Sequence, residues 1–257
     1  MAWAQDHGLL AGTPVEISWC LSYQRELLAA LVEPNAMSPE LLLWQDGRLS
    51  AFYAPWDWVN KAARVMLIGI TPGDYQATVS LREAQRCIRA GLTNEETLRR
   101  ANAVGSFSGR MRTNLVTMLD GIGLHDALGI ESTARLFDTH HLLADHASAI
   151  DYPLFVNGQN YRGRNPSLVR QPVLRSFVRA CFAPRVAMAP TALVIPLGAA
   201  ATDAATLLID EGLLDQERCL KGIPHPSGGN GHRVRQYNAR RETLAATLAH
   251  LAAANAF

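Results

Sequence analysis

The sequence predicts an α/β fold, a parallel sheet covered on both faces by helices. Three observations predict it. Two short apolar runs, Val65-Met66-Leu67-Ile68 and Ala192-Leu193-Val194-Ile195-Pro196-Leu197, each stop at a glycine, Gly69 and Gly198. Runs this short, without polar alternation, read as strands buried on both faces. Segments of helical periodicity alternate with them, the order that builds a parallel sheet. The third observation is punctuation. Thr71-Pro72-Gly73-Asp74 follows the first run, and Pro224-His225-Pro226-Ser227-Gly228-Gly229-Asn230 lies far downstream. Open α/β sheets bind ligands in loops at such strand ends, so these two loops are expected to face one cleft.

The elements follow in order. Glu16 to Val32 has helical spacing and stops at Pro34-Asn35. Leu41 to Trp44 and Leu49 to Tyr53 flank Asp46-Gly47, a hairpin signal. Trp56 and Trp58 either line a site or pack on the sheet edge, and packing is the commoner fate. Ser80-Leu81-Arg82-Glu83 and Thr93-Asn94-Glu95-Glu96 read as capping boxes, with Gly91 between them as a stop. Gly105 to Gly109 opens a helix over Arg110 to Asp120 that ends at Gly121. Ala134 to Leu143 is the second strand candidate. Asn157-Gly158 makes a second hairpin, and Pro172 begins a helix to about Phe182. The strand ending at Gly198 leads into a helix over Ala199 to Ile209, stopped near Gly212. A short fourth strand approaches His225. The last helix runs from about Tyr237 to Ala252, with Leu244, Leu248 and Leu251 as its core stripe. No repeat or linker divides the chain. A single domain is expected, with residues 1–60 a helix-and-hairpin extension and 61–257 the core.

The 257 residues are 48% hydrophobic, enough for one sizeable core. A net charge of +1 gives no argument from global charge, but the distribution is uneven. Tyr161 to Arg185 holds Arg162, Arg164, Arg170, Arg175, Arg179 and Arg185 without an acid, and Lys221 to Arg241 holds Lys221, Arg233, Arg235, Arg240 and Arg241 without one. Local positive faces attract phosphates, although an arginine-heavy composition scatters Arg equally well. Cys20, Cys87, Cys181 and Cys219 show no CxxC spacing, which suits a reducing cytoplasm and gives no motif for a metal. His140, His141, Asp145 and His146 look like ligands, but neighbours on a strand point to opposite faces. No metal and no cofactor are expected. The start has no leader pattern and no apolar run reaches membrane-spanning length. A cytoplasmic monomer is expected, without a membrane partner.

His225 stands between two prolines that stiffen its backbone, which suits a fixed donor. Ser227, Gly228 and Gly229 offer backbone amides for a phosphate. Together, Gly69-Ile70-Thr71-Pro72-Gly73 and His225 to Arg233 resemble the two signature loops of the uracil-DNA glycosylase superfamily, the first loop most like its single-strand-selective and mismatch-specific branches. Ser106-Phe107-Ser108-Gly109, Leu136-Phe137-Asp138-Thr139 and Val194 to Gly198 are similar to three further pieces, in the same order, over roughly Val65 to Ala249.

The resemblance implies a three-layer α/β/α fold around a four-stranded parallel sheet. It implies single- or double-stranded DNA as partner, and cleavage of the base–sugar bond of a flipped nucleotide. His225 would hydrogen-bond the departing base, as oxyanion sites do. Phe107 would stack on that base, although packing is the simpler reading of its sequence context. Gly69, Ile70 and Tyr75 would line the base, with Gly73 leaving room for a large one. Ser227, Gly228, Asn230, Arg233 and Arg235 would hold DNA. Two positions depart from the pattern. Thr71 stands where the family has a water-positioning Asp or Asn, a loss of about two to four orders of magnitude in rate unless Asp74 compensates. Asp138 stands where the family reads uracil with Asn. An ionised Asp offers acceptors only, so a base other than uracil is expected; a protonated Asp138, or a shift of two that turns His140 inward, are the alternatives. A binding protein without chemistry, and an unrelated small-molecule hydrolase, are the competing classes. The second lacks a GxSxG elbow, a Walker loop or GxGxxG.

Overall fold

The computed structural model describes residues 20–255 and 257. Its helices are α1 Leu21–Ala30, α2 Asp74–Arg89, α3 Asn94–Gly105, α4 Arg110–Asp120, α5 Leu124–Leu128, α6 Pro172–Met188, α7 Ala199–Asp210, α8 Arg233–Asn238 and α9 Arg241–Asn255. Its strands are β1 Leu42–Asp46, β2 Leu49–Phe52, β3 Val65–Gly69, β4 Ala144–Ser148, β5 Leu154–Val156, β6 Gln159–Asn160 and β7 Leu193–Pro196. The fold is mixed α/β. It groups into two units, one of the chain up to Trp58 with Ile70–Ser106 and Ser148–Phe182, the other of Val59–Gly69, Phe107–Ala147 and Ala183–Phe257.

The first unit carries a sheet in the order β1-β2-β5-β6, antiparallel throughout. Both expected hairpins are present. Asn157 and Gly158 take φ of +51° and +71°, the two positive values a tight hairpin turn requires. β1 and β2, from the stretch expected as an N-terminal extension, share this sheet with residues 154–160. α1, α2 and α3 bury Leu21, Leu28, Leu81, Ala84 and Ala101 together. Trp56 packs with Phe52, Ala77 and Phe155. Gly105 is forced by close approach: a β-carbon there would stand 2.1 Å from Ser80 Oγ and 2.6 Å from the Trp56 ring. α2 begins at Asp74, six residues before the expected Ser80 cap. Gln76 accepts from the Gly73 N–H at 3.1 Å and starts the helix there. Ser80 is buried within α2 and donates to the Ala101 carbonyl at 2.7 Å. Of the helix expected over Glu16–Val32, residues 16–19 lie outside the described residues.

The second unit holds the sheet β4-β3-β7. β3 and β7 are parallel, Val65 opposite Leu193 through Ile68 opposite Pro196. The expected fourth strand is a bridged segment: Cys219 pairs with Val194 in parallel, Leu220 N–H donates to the Val194 carbonyl at 2.9 Å, and Gly198 N–H donates to the Ile223 carbonyl at 2.8 Å. Leu67, Ile195 and Leu197 pack with Leu115 and Leu119 of α4 and with Leu244, Leu248 and Leu251 of α9. The last helix is interrupted, not continuous, since α8 ends at Asn238 and α9 starts at Arg241.

The second strand is not Ala134–Leu143. Those residues form two short 3-10 turns, Thr133–Phe137 and His141–Leu143. Capping overrides the apolar pattern here. Asp120 accepts from the Thr133 N–H at 2.7 Å and from the Thr133 and Ser132 hydroxyls at 2.6 Å each, while Ser132 Oγ accepts from the Ala134 N–H at 3.1 Å. The strand is β4, wholly buried although it contains Asp145 and His146. Arg185, itself 2% exposed, meets the Asp145 carboxylate at 3.1 Å, and the Asn60 N–H donates to it at 3.2 Å. A buried carboxylate persists only with such partners.

Candidate functional site at the end of the parallel sheet

Parallel pairing brings the ends of β3, β7 and the bridged segment to one edge of the second unit. Leu197 N–H donates to the Ile68 carbonyl at 2.9 Å. Gly198, at φ +86°, would place a β-carbon 2.7 Å from His225 Cβ. Only glycine lets the His225 backbone close on the end of β7.

His225 is mostly buried, and burial pushes its pKa down to about 4. The ring is neutral near pH 7. The Ser227 N–H donates to Nδ1 at 3.3 Å. An amide cannot accept, so Nδ1 is unprotonated and the proton sits on Nε2. The loop therefore presents a neutral Nε2–H donor. Its backbone is gripped by side chains. Asn114 Nδ2 donates to the Pro226 carbonyl at 2.8 Å, and Arg233 donates to the Ser227 carbonyl and to Asn114 Oδ1, each at 3.1 Å. Asn230 donates to the His225 carbonyl at 3.3 Å and to Gln236 at 3.0 Å. Arg233 and Asn230, expected as DNA contacts, both tie this loop together and remain half-exposed. Gly228, Gly229 and Arg235 are exposed, and a β-carbon at Gly228 would meet nothing within 4 Å.

Phe107 is 5% exposed and belongs to the core, as the packing reading of its sequence has it. Its φ of +50° is one a non-glycine residue rarely takes. Its ring meets those of Phe137 and His146 edge-on at 6.4 and 6.2 Å. Phe137 and His146 stack in parallel at 4.5 Å, and the Arg112 guanidinium lies 4.6 Å from the Phe137 ring centre. Burial, then the charge of Arg112, lowers the His146 pKa to about 3. Asp138 does not reach inward from a strand. It is exposed at the end of a 3-10 turn, where its carboxylate accepts from the N–H and hydroxyl of its own neighbour Thr139. Those bonds hold it below the usual carboxylate range. His140 is exposed as well. No group of three His, Cys, Asp or Glu among the described residues is set to hold a metal ion.

Gly69 closes β3, and the loop after it belongs to the first unit. The Thr71 hydroxyl donates to the Tyr152 carbonyl at 2.5 Å, which leaves it only acceptor capacity for a water. Ile70 accepts from the Ile150 N–H, and the Asp74 N–H donates to Asn160 Oδ1 at 2.8 Å. The Asp74 carboxylate lies 3.5 Å from the Thr78 hydroxyl, over the first turn of α2. Tyr75 is 66% exposed. At Gly73, φ −79° and a nearest approach of 3.5 Å leave room for a side chain, so its smallness is not a backbone requirement.

Sequence reasoning passed over Asn114 and Arg112, and gave Phe137 and His146 no part in a stack. One signal was legible for Asn114. It precedes buried Leu115 and stands four residues before buried Met118, a polar residue beside the apolar face of the helix.

No family model and no solved structure matches the chain. It is 35% identical over 220 residues, 85% of this chain and 86% of the other, to a Bacillus subtilis (strain 168) protein described as uncharacterized protein YoxB. On that similarity, the chain belongs to the same family as YoxB.

Proposed function

We propose that this protein is a DNA glycosylase, a hydrolase that cleaves the N-glycosidic bond of a damaged or deaminated base flipped out of DNA, on a uracil-DNA glycosylase-like fold. The observation that carries the reading is the His225 loop. A neutral imidazole, its Nδ1 occupied by the Ser227 N–H, is fixed at a strand end with Nε2–H as donor. In the proposed reaction the sugar–base bond breaks with both electrons going to the base. The Nε2–H hydrogen-bonds the base oxygen on which that charge develops, and needs to transfer no proton. Water adds to the sugar carbon and releases a proton to solvent. A neutral donor positioned in advance is worth several kcal/mol in such a step. Exposed Gly228, Gly229 and Arg235 are left for the DNA backbone.

The base is left open. Asp138 is exposed at the end of a 3-10 turn, and Gly73 carries no side chain that would exclude a larger base. One observation favours a second reading, a nucleic-acid-binding protein without chemistry. Thr71 already donates its proton to Tyr152, and so supplies no charged or strongly basic group for water. A single-turnover panel of oligonucleotides carrying uracil, hypoxanthine, xanthine, 5-hydroxymethyluracil or mismatches decides between them. Cleavage of one base, abolished in His225→Ala, is the expected result. Binding without cleavage at high enzyme concentration would leave the second reading.

A further inference from the structure

The arginines between Tyr161 and Arg185 are not equivalent. Arg185 is buried against Asp145, and Arg175 and Arg179 are half-buried on α6. Arg162, Arg164 and Arg170 are exposed, and none of them makes an ion pair among the described residues. They share one connection of the first unit, between β6 and α6. That connection is a built structure: Tyr161 N–H donates to the Leu154 carbonyl at 2.9 Å, and the Tyr161 hydroxyl donates to the Pro166 carbonyl at 2.6 Å. Exposed Arg48, on the β1–β2 turn, donates to Asn165 Oδ1 at 2.8 Å, which brings a fourth guanidinium to the same connection. From Tyr152 to Thr202 the sequence contains no Asp or Glu; Asp46, two residues before Arg48, is the acid on the adjoining turn.

We propose that Arg48, Arg162, Arg164 and Arg170 form a phosphate-binding surface that holds the DNA backbone, built from residues that take no part in the His225 loop. Arg162, Arg164 and Arg170 are exposed guanidiniums outside any ion pair among the described residues, and the guanidinium fork suits phosphate oxygens. The surface reads no sequence, since backbone contacts position DNA without specifying it. It rests on the glycosylase reading only for the choice of DNA as the polyanion.

The test is binding of short labelled oligonucleotides containing ordinary bases, single-stranded and duplex, over a range of KCl concentrations. Wild-type protein should bind, with a steep salt dependence. Arg162→Gln, Arg164→Gln and Arg170→Gln combined should flatten the slope of log K against log salt by about 2 to 3, at roughly 0.7–0.9 per lost phosphate contact. Affinity at low salt should fall about tenfold or more. The matching triple lysine variant should keep most of the slope, because it keeps the charge. An unchanged slope in the glutamine variant, or no binding by wild type, overturns the proposal. So does polyglutamate competing as well as DNA, which would point to an acidic protein. Because these probes carry no damaged base, their binding is read independently of cleavage; absence of cleavage in the panel of damaged bases would sink the glycosylase reading and leave this one standing.

Discussion

His225 and His146 show how one residue type takes two roles through its neighbours. Both rings are neutral because burial disfavours the charged form. His146 is stacked on Phe137 inside the core, whereas His225 has its backbone clamped and its Nδ1 occupied, which leaves Nε2–H to act. Imidazole 15N spectra should therefore show His225 as the Nε2–H tautomer near pH 7, titrating near pH 4. A midpoint near the ordinary 6.5, or the Nδ1–H tautomer, would remove the donor argument. Gly73 carries a second prediction at this scale. A β-carbon there meets nothing closer than 3.5 Å, so Gly73→Ala should fold normally, yet in the cleavage panel it should discriminate against larger bases. Equal loss on all substrates would mean that the glycine does not set base size.

At the scale of elements, α4 is the part that the rest depends on. Its core face carries Leu115, Met118 and Leu119, and residues near its start reach two features: Arg112 covers Phe137, and Asn114 holds the His225 loop. Asn114→Ala removes one partner from two hydrogen bonds and should cost ~1–3 kcal/mol in thermal or denaturant unfolding. The Ser227 amide should lose protection in hydrogen exchange. If that amide stays protected, the clamp does not fix the loop. Elements announced by local chemistry were legible in sequence: the Asn157-Gly158 turn, the Thr93 cap, Pro172 at a helix start, the runs ending at Gly69 and Gly198. β4 was not, because burial of Asp145 and His146 depends on Arg185 and Asn60, both distant in sequence. The same gap displaced Asp138 from the site. Phe107 was legible only in part: its loop was foreseen, but its inward packing follows from Phe137 and His146, which sequence spacing does not bring together. The part of Arg233 in building the loop was not legible, because a basic run gives no sign of which guanidinium a carbonyl engages.

For the whole molecule, the distribution of buried titratable groups predicts where acid acts first. His146 and His225 lie in the unit containing β3, β4 and β7, with folded pKa values of about 3 and about 4 against an ordinary 6.5. Between those limits the unfolded chain binds more protons than the folded one, so stability rises with pH. The contribution is complete above about pH 6.5 and is lost as pH falls toward 4 and then 3, at ~1.4 kcal/mol for each pK unit. The Asp145–Arg185 pair lies in the same unit. Residue-resolved hydrogen exchange on descending from pH 7 to 4, corrected for intrinsic rates, should therefore show amides of β3, β4 and β7 losing protection before those of α2 and α3. His146→Phe keeps an aromatic ring in the stack and has no proton to gain, so it should flatten the fall of the unfolding midpoint over that window. Arg185→Met should destabilise near pH 7 by ~3–5 kcal/mol, because it leaves Asp145 buried without its cation, and the loss should shrink as Asp145 is protonated at low pH. The two variants separate the mechanisms. If His146→Phe tracks the wild-type pH profile, the acid sensitivity does not come from the buried imidazole, and the neutral stack against Phe137 is not what low pH breaks.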